Sequence, residues 1–191
     1  MQVQVKDVFE FYQEYIKPIY SEIEAKRNQL PIELLFETYA SFDHLKRFYL
    51  NEENEYESST KALSHLKGGV LDAFKLKLKY FNEDLESFLS SKINFGLIDN
   101  GEFIKNFHKE RNEIYKIAKL ARLNESKKDI DEAFKKWYEV SIKIDEFEEK
   151  YLNRLDTVEW AKKKTFSWIN KDSIRGFIIG ILSSLVVWAI T

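Results

Sequence analysis

Residues 58–89, SSTKALSHLKGGVLDAFKLKLKYFNEDLESFL, decide the fold. Leu63, Leu66, Val70, Phe74, Leu78, Phe81, Leu85 and Phe88 recur three or four residues apart. That is the period of one helix face, and no strand-like alternation of convincing length competes with it. A long amphipathic helix is therefore predicted from about Ser58 to Leu89. Gly68 and Gly69 interrupt it and weaken it by about 1 kcal/mol each relative to Ala. They mark either a kink or a place where a second helix crosses closely. The lysines of KLKLKY, residues 75–80, are expected to spread over a solvated helix surface.

The same period extends in both directions. Val5, Phe9, Tyr12, Ile16, Ile19, Tyr20 and Ile23 place a helix over about 3–28, which Pro18 should kink or divide. Pro31 suits the start of a second helix over about 31–50. Its stripe of Leu35, Tyr39, Phe42, Leu45 and Tyr49 is widened by Phe36, Ala40 and Leu50, so burial over much of its circumference is expected. NEENEYESS is an acidic connector ending in capping residues, and 91–101 is a loop carrying Gly96 and Asn100-Gly101. A fourth helix is predicted over about 102–123, followed by the stop and cap LNES. A fifth begins near Ser126, with Ile130, Phe134, Trp137, Ile144, Phe147, Tyr151, Leu155 and Val158 on its stripe. No Gly or Pro follows until Gly176, so this helix is expected to run almost unbroken towards the C-terminus. The fold class is an all-α bundle of about five helices with a single C-terminal transmembrane helix.

The transmembrane expectation comes from Gly176–Thr191, GFIIGILSSLVVWAIT, which holds no charged side chain. As a helix it spans about 24 Å, against a hydrocarbon core of about 30 Å. Lys162, Lys163, Lys164, Lys171 and Arg175 precede it, opposed between 161 and 175 only by Asp172. This collar carries a charge of +4 and leaves −6 on residues 1–160 of a chain whose net charge is −2. Trp168 and Trp188 sit where interfacial aromatics are expected. The division is then a cytoplasmic bundle over 1–160, a basic juxtamembrane segment over 161–175 and a tail anchor over 176–191. By the positive-inside rule the bundle faces the cytoplasm. The first 15 residues have no signal-peptide character, and the hydrophobic segment ends at the chain terminus, so post-translational insertion is expected. Gly176, Gly180 and Ser184 share one helix face and predict self-association in the membrane. Membrane lipid and a second copy are the expected partners, with a soluble protein as a further possibility. Nucleic acid is disfavoured by the acidic bundle.

Composition bounds the chemistry. The chain has 191 residues and no cysteine, so disulfides, thiolate metal sites and thiol nucleophiles are excluded. Its three histidines, His44, His65 and His108, fall in no metal-ligand or nucleophile motif. No cofactor, metal or catalytic residue is predicted. Asp43, His44 and Arg47 on the second helix, and His65, Gly69 and Asp72 on the third, would meet as an interhelical polar network if those helices pair. HKERNE, residues 108–113, is expected to be a solvated face.

Arg111-Asn112, on a late helix of a small all-α bundle, resembles the ribonuclease signature of HEPN-type domains from prokaryotic toxin and anti-phage systems. That signature places a His four to six residues beyond the Arg-Asn pair, where Lys116, Ile117 and Ala118 stand. The resemblance therefore implies an inactive version used for binding or assembly, a non-enzymatic defence or stress component. A membrane-tethered adaptor and a degenerate ribonuclease are the alternatives.

Overall fold

The computed structural model describes residues 2–166 and Ile179. Among them stand six α-helices: α1 Val5–Phe11, α2 Lys17–Arg27, α3 Ile32–Tyr49, α4 Glu55–Ser90, α5 Glu102–Ser126 and α6 Ile130–Phe147. A further helical segment covers 155–166. The all-α bundle predicted from apolar spacing is what the chain forms.

Local chemistry sets the boundaries. α1 and α2 are joined by a π turn, Tyr12–Ile16, which ends just before Pro18. Pro18 has no N–H to donate and its ring crowds the carbonyl four residues back, so the widened turn takes up the defect without stopping the helix. Asn28 in the left-handed conformation, φ 50°, ends α2. α4 starts three residues earlier than the spacing predicts, because the Asn54 side chain accepts the Glu57 backbone N–H at 2.9 Å. Ser58 and Ser59, expected to cap it, are instead buried. α5 continues to Ser126. The next helix waits until Ile130, after Lys128 at φ 62° and with Asp129 accepting the Glu132 N–H at 3.3 Å. α6 does not run on unbroken: a π turn, Glu148–Leu152, and a break at Asn153-Arg154 interrupt it.

The chain forms two compact units. In the first, residues 1–84 with 113–145, the core is built from Ile16, Ile19 and Ile23 of the first helical stretch, Leu66, Val70 and Phe74 of α4, and Trp137, Val140 and Ile144 of α6. In the second, residues 85–112 with those from 146 onward, Phe95, Phe103, Phe107, Phe147 and Tyr151 are buried together. Phe107 meets Phe147 edge-on at 4.9 Å between ring centroids and Tyr151 at 5.5 Å, the geometry aromatic quadrupoles favour.

The C-terminal anchor needs correction. Among the described residues no helix is long and apolar enough to cross a membrane. α4, with 36 residues, has the length, but Lys61, Lys67, Asp72, Lys75 and Lys77 recur along it. The span expected over 176–191 lies outside the described residues, Ile179 excepted. The architecture is an all-α bundle, and the fold class with a transmembrane helix is set aside. So are a single-pass membrane location with a cytoplasmic N-terminal domain and a membrane-anchored, tail-anchored function.

α3 departs from expectation as well. Only Leu34, Ser41 and Leu45 of its 18 residues are buried, whereas Phe36 is 69% and Tyr39 72% exposed. Its broad apolar girdle is not enclosed. The approach of α3 to α4 is nonetheless very close. A Cβ on Gly69 would lie 2.9 Å from the Glu37 Cβ and 3.1 Å from Leu34 Cδ1. The glycine therefore marks a close crossing. Gly68 is different, since a Cβ there meets nothing nearer than Glu37 Oε2 at 3.9 Å. Gly69→Ala is predicted to lower stability, because crowding of about 1–3 kcal/mol exceeds the helix-propensity gain of about 1 kcal/mol. Gly68→Ala is predicted to raise it by up to about 1 kcal/mol. Urea unfolding of both variants checks the pair, and equal shifts would remove the close crossing as the reason for Gly69.

Candidate functional site

The Gly69 crossing brings together residues 28 apart in sequence. Glu37 and His44 lie seven residues apart on α3 and therefore on one face. His65, one turn before Gly69 on α4, meets both. Its Nδ1–H donates to Glu37 Oε2 at 2.7 Å, and its ring stacks on His44 with centroids 5.2 Å apart and 21° between planes. His44 Nδ1 is buried and has no hydrogen-bond partner. Both rings belong to the first unit.

A ring of charge surrounds the pair. Arg47 donates to Asp43 at 3.1 Å and to Glu53 at 3.4 Å. Lys61 donates to Glu53 at 3.2 Å and to Glu57 at 2.8 Å. Glu53 also accepts from the Ser58 hydroxyl at 3.2 Å. Hydrogen bonds from Arg47 and Lys46 hold the Asp43 carboxyl below its ordinary value, and Lys61 does the same for Glu53. Burial, followed by the neighbouring His65 and Arg47, pushes the His44 imidazole down. Desolvation and nearby positive charge act in the same direction, while Glu53 opposes them weakly.

Of the residues expected in the network, His44 and His65 stack on one another and Asp43 and Arg47 pair on α3. Asp72 is not in it, since it accepts from Lys75 on its own helix at 3.1 Å. Glu37 and Glu53 are the members sequence reasoning missed. The signal for Glu37 was its position seven residues before His44; Glu53, in the connector, has no periodic signal.

A second charged cluster contradicts the solvated reading of KLKLKY. Lys77 is 5% exposed. Its ammonium donates to Glu22 at 2.8 Å, to both Asp145 oxygens at 2.7 and 2.8 Å, and to Ser141 Oγ at 3.0 Å. Burial acts to raise the Glu22 carboxyl, but hydrogen bonds from Lys26 and Lys77 outweigh it and hold the carboxyl below its ordinary value. Every Lys77 donor is satisfied, so this cluster ties α2, α4 and α6 together and leaves no polar atom of that ammonium for a ligand.

In the second unit, Glu110 accepts from the Tyr151 hydroxyl at 2.9 Å and pairs with Lys150. His108 is exposed and edge-on to Phe107 at 5.5 Å. The HKERNE face is therefore solvated at His108, Lys109, Asn112 and Glu113, but half-buried at Glu110 and Arg111.

The residues assigned to membrane contact fare differently. Lys162, Lys163 and Lys164 are exposed on the 155–166 helix, and Lys163 lies 3.7 Å from Glu159. Trp168, Lys171, Arg175 and Trp188 lie outside the described residues, as do Gly176, Gly180 and Ser184. Since no described helix can cross a membrane, membrane lipid is withdrawn as a partner. The homo-oligomer, read from Gly176, Gly180 and Ser184, and the soluble partner find no support among the described residues and are withdrawn with it. Among the described residues no group of three or more His, Cys, Asp or Glu side chains is arranged to hold a metal ion.

Comparison with known proteins adds no family. No family model matches the chain, and no curated protein and no solved structure matches it.

Lys77→Met is predicted to destabilise the first unit by about 1–3 kcal/mol, because Glu22 and Asp145 lose their shared cation while Ser141 loses a partner. Glu22 and Asp145 keep part of their hydration, so the loss stays below that of a fully enclosed pair. Chemical denaturation measures it, and a variant as stable as the wild type would show the cluster to be energetically neutral.

Proposed function

We propose that this chain is a non-catalytic helical module that responds to protons through the stacked His44–His65 pair. The observation that carries this is the asymmetry of the two rings: one Nδ1 donates to Glu37, while the other is buried without a partner 5.2 Å away, centroid to centroid.

The chemistry follows from what each ring meets when charged. A proton on His65 turns its bond to Glu37 into a charge-assisted one, which is shorter and stronger than a neutral bond. A proton on His44 makes both of its nitrogens donors, and the Nδ1–H then points into a dry place with no acceptor. It also sets a second positive ring against the first, with Arg47 and Lys61 close by. The pair thus accepts one charge and resists two. Its site is closed at His44 Nδ1, so that nitrogen cannot exchange a proton with a bound substrate, which supports a non-catalytic role.

The direction of the pH effect is set by the sign of the His44 shift. Its folded-state value is lowered, so the unfolded chain binds this proton more readily than the folded one. The stabilisation is complete above the unfolded value of about 6.5. It is lost as pH falls through that value, and the loss stops only below the folded value. Asp43, Glu53 and Asp131, whose carboxyls are lowered by Arg47, Lys61 and Lys67 respectively, act in a separate window below about pH 4.

Stability measured by urea unfolding should therefore fall as pH drops below about 6.5, and His44→Gln should flatten that dependence. Titration by NMR should show His44 protonating below its ordinary value and coupled to the neighbouring ring. Two independent rings titrating near the ordinary value, with an unchanged pH profile in His44→Gln, would overturn the proposal.

A further inference from the structure

We infer that α3 is a strap released by acid: uptake of the second proton by the histidine pair frees α3 from α4 while the rest of the first unit stays folded. This rests on the proton-responsive reading and assigns the element that moves.

The packing of α3 supports it. Its buried side chains are Leu34, Ser41 and Leu45 alone, out of 18 residues. α4 by contrast buries Ala62, Leu66, Val70, Phe74 and Phe81 within the same unit. A helix with few buried apolar anchors belongs to the low-stability end of a fold and opens locally before the core does. Each side of α3 also ends at an asparagine in the left-handed conformation, Asn28 at φ 50° and Asn51 at φ 57°. Such terminal positions can absorb a change in backbone angle without disturbing the helices beyond them.

Apart from the Phe42 ring against Tyr12, 6.4 Å between centroids, what remains of the attachment is polar and centred on the rings. Glu37 is tied to His65, and the His44 ring rests on the His65 ring. Arg47, itself paired with Asp43, acts on His44 from α3, Lys61 and His65 from α4, and Glu53 from the connector. Arg47 and Lys61 are already engaged by Glu53, so no spare carboxylate of that set is available to a charged His44. Glu37, the nearest acid on the other ring, is committed to His65. The crossing at Gly69 has no slack either, because helix contact at that distance is lost with a small displacement. Two positive rings therefore separate by moving the helix that is held least.

Hydrogen exchange read by mass spectrometry on the full chain at pH 7.5 and 5.5, corrected for intrinsic exchange rates, tests the strap. Amides of 32–49 should exchange at least about tenfold faster at the lower pH relative to those of 62–81 and 133–144. His44→Gln should abolish the difference, while His65→Gln, which removes the first charge, should diminish it. If the rings titrate as a coupled pair but α3 is no more labile than α4, the strap is wrong and the proton response stands. If exchange accelerates uniformly over the first unit, the strap is likewise wrong, since acid then loosens the whole core. If the rings titrate independently and α3 exchange is indifferent to pH, both fall.

Discussion

The contact on which the first unit turns is the approach of α3 to α4 at Gly69. No other residue fits there, because a single methyl would press on Glu37 Cβ at 2.9 Å and on Leu34 at 3.1 Å. Closeness at this point determines what lies one turn to either side. It places the Glu37 carboxylate within hydrogen-bond reach of His65 and lays one imidazole on the other. A wider crossing would separate the two half-exposed histidines from each other and from Glu37. The intrinsic helix cost of two adjacent glycines, about 1 kcal/mol each, is thus offset at Gly69 by contact and remains uncompensated at Gly68.

The period of the apolar residues made the helices legible, since Leu63, Leu66, Val70 and their successors fit a 3.6-residue repeat and nothing else. Boundaries were less legible because they hang on single capping contacts. Asn54 rather than Ser58 opens α4, and Asp129 rather than Ser126 opens α6. Pro18 was correctly read as a defect, but a π turn lets the helix absorb it. The face of α3 was misread for a plainer reason. A wide apolar stripe states what a helix could bury, not what lies opposite, and Phe36 and Tyr39 face nothing in the described structure. The same logic undoes the lysine pattern of 75–80: Lys77 is buried because Glu22 and Asp145, more than fifty residues away in sequence, converge on it.

The polar site was half visible. The sequence lets His44 and His65 meet only if their helices pair, and it leaves Gly68-Gly69 open between a kink and a close crossing. The partner that makes the two rings unequal, Glu37, was hidden among the acids of a helix rich in them. Unoccupied hydrogen-bonding capacity, the bare Nδ1 of His44, has no sequence signature at all. It depends on which atoms crowd that nitrogen and on none of them being a donor.

Two cation-capable groups in the same unit, the buried Lys77 and the half-buried His44 with its enclosed Nδ1, show why that last detail governs behaviour. Lys77 is fully provided for: two carboxylates and a hydroxyl take its three donors. His44 is held against a second ring, beside Arg47 and Lys61, with one nitrogen that nothing answers. Satisfied burial makes a brace that is insensitive to mild acid. Unsatisfied burial of a group that titrates near neutrality makes the opposite, because each proton offered must be paid for by moving a neighbour. The neighbour most easily moved is the helix with the fewest buried side chains. The polarity of the site and the thin anchoring of α3 are therefore parts of one device, and neither would produce a proton response without the other.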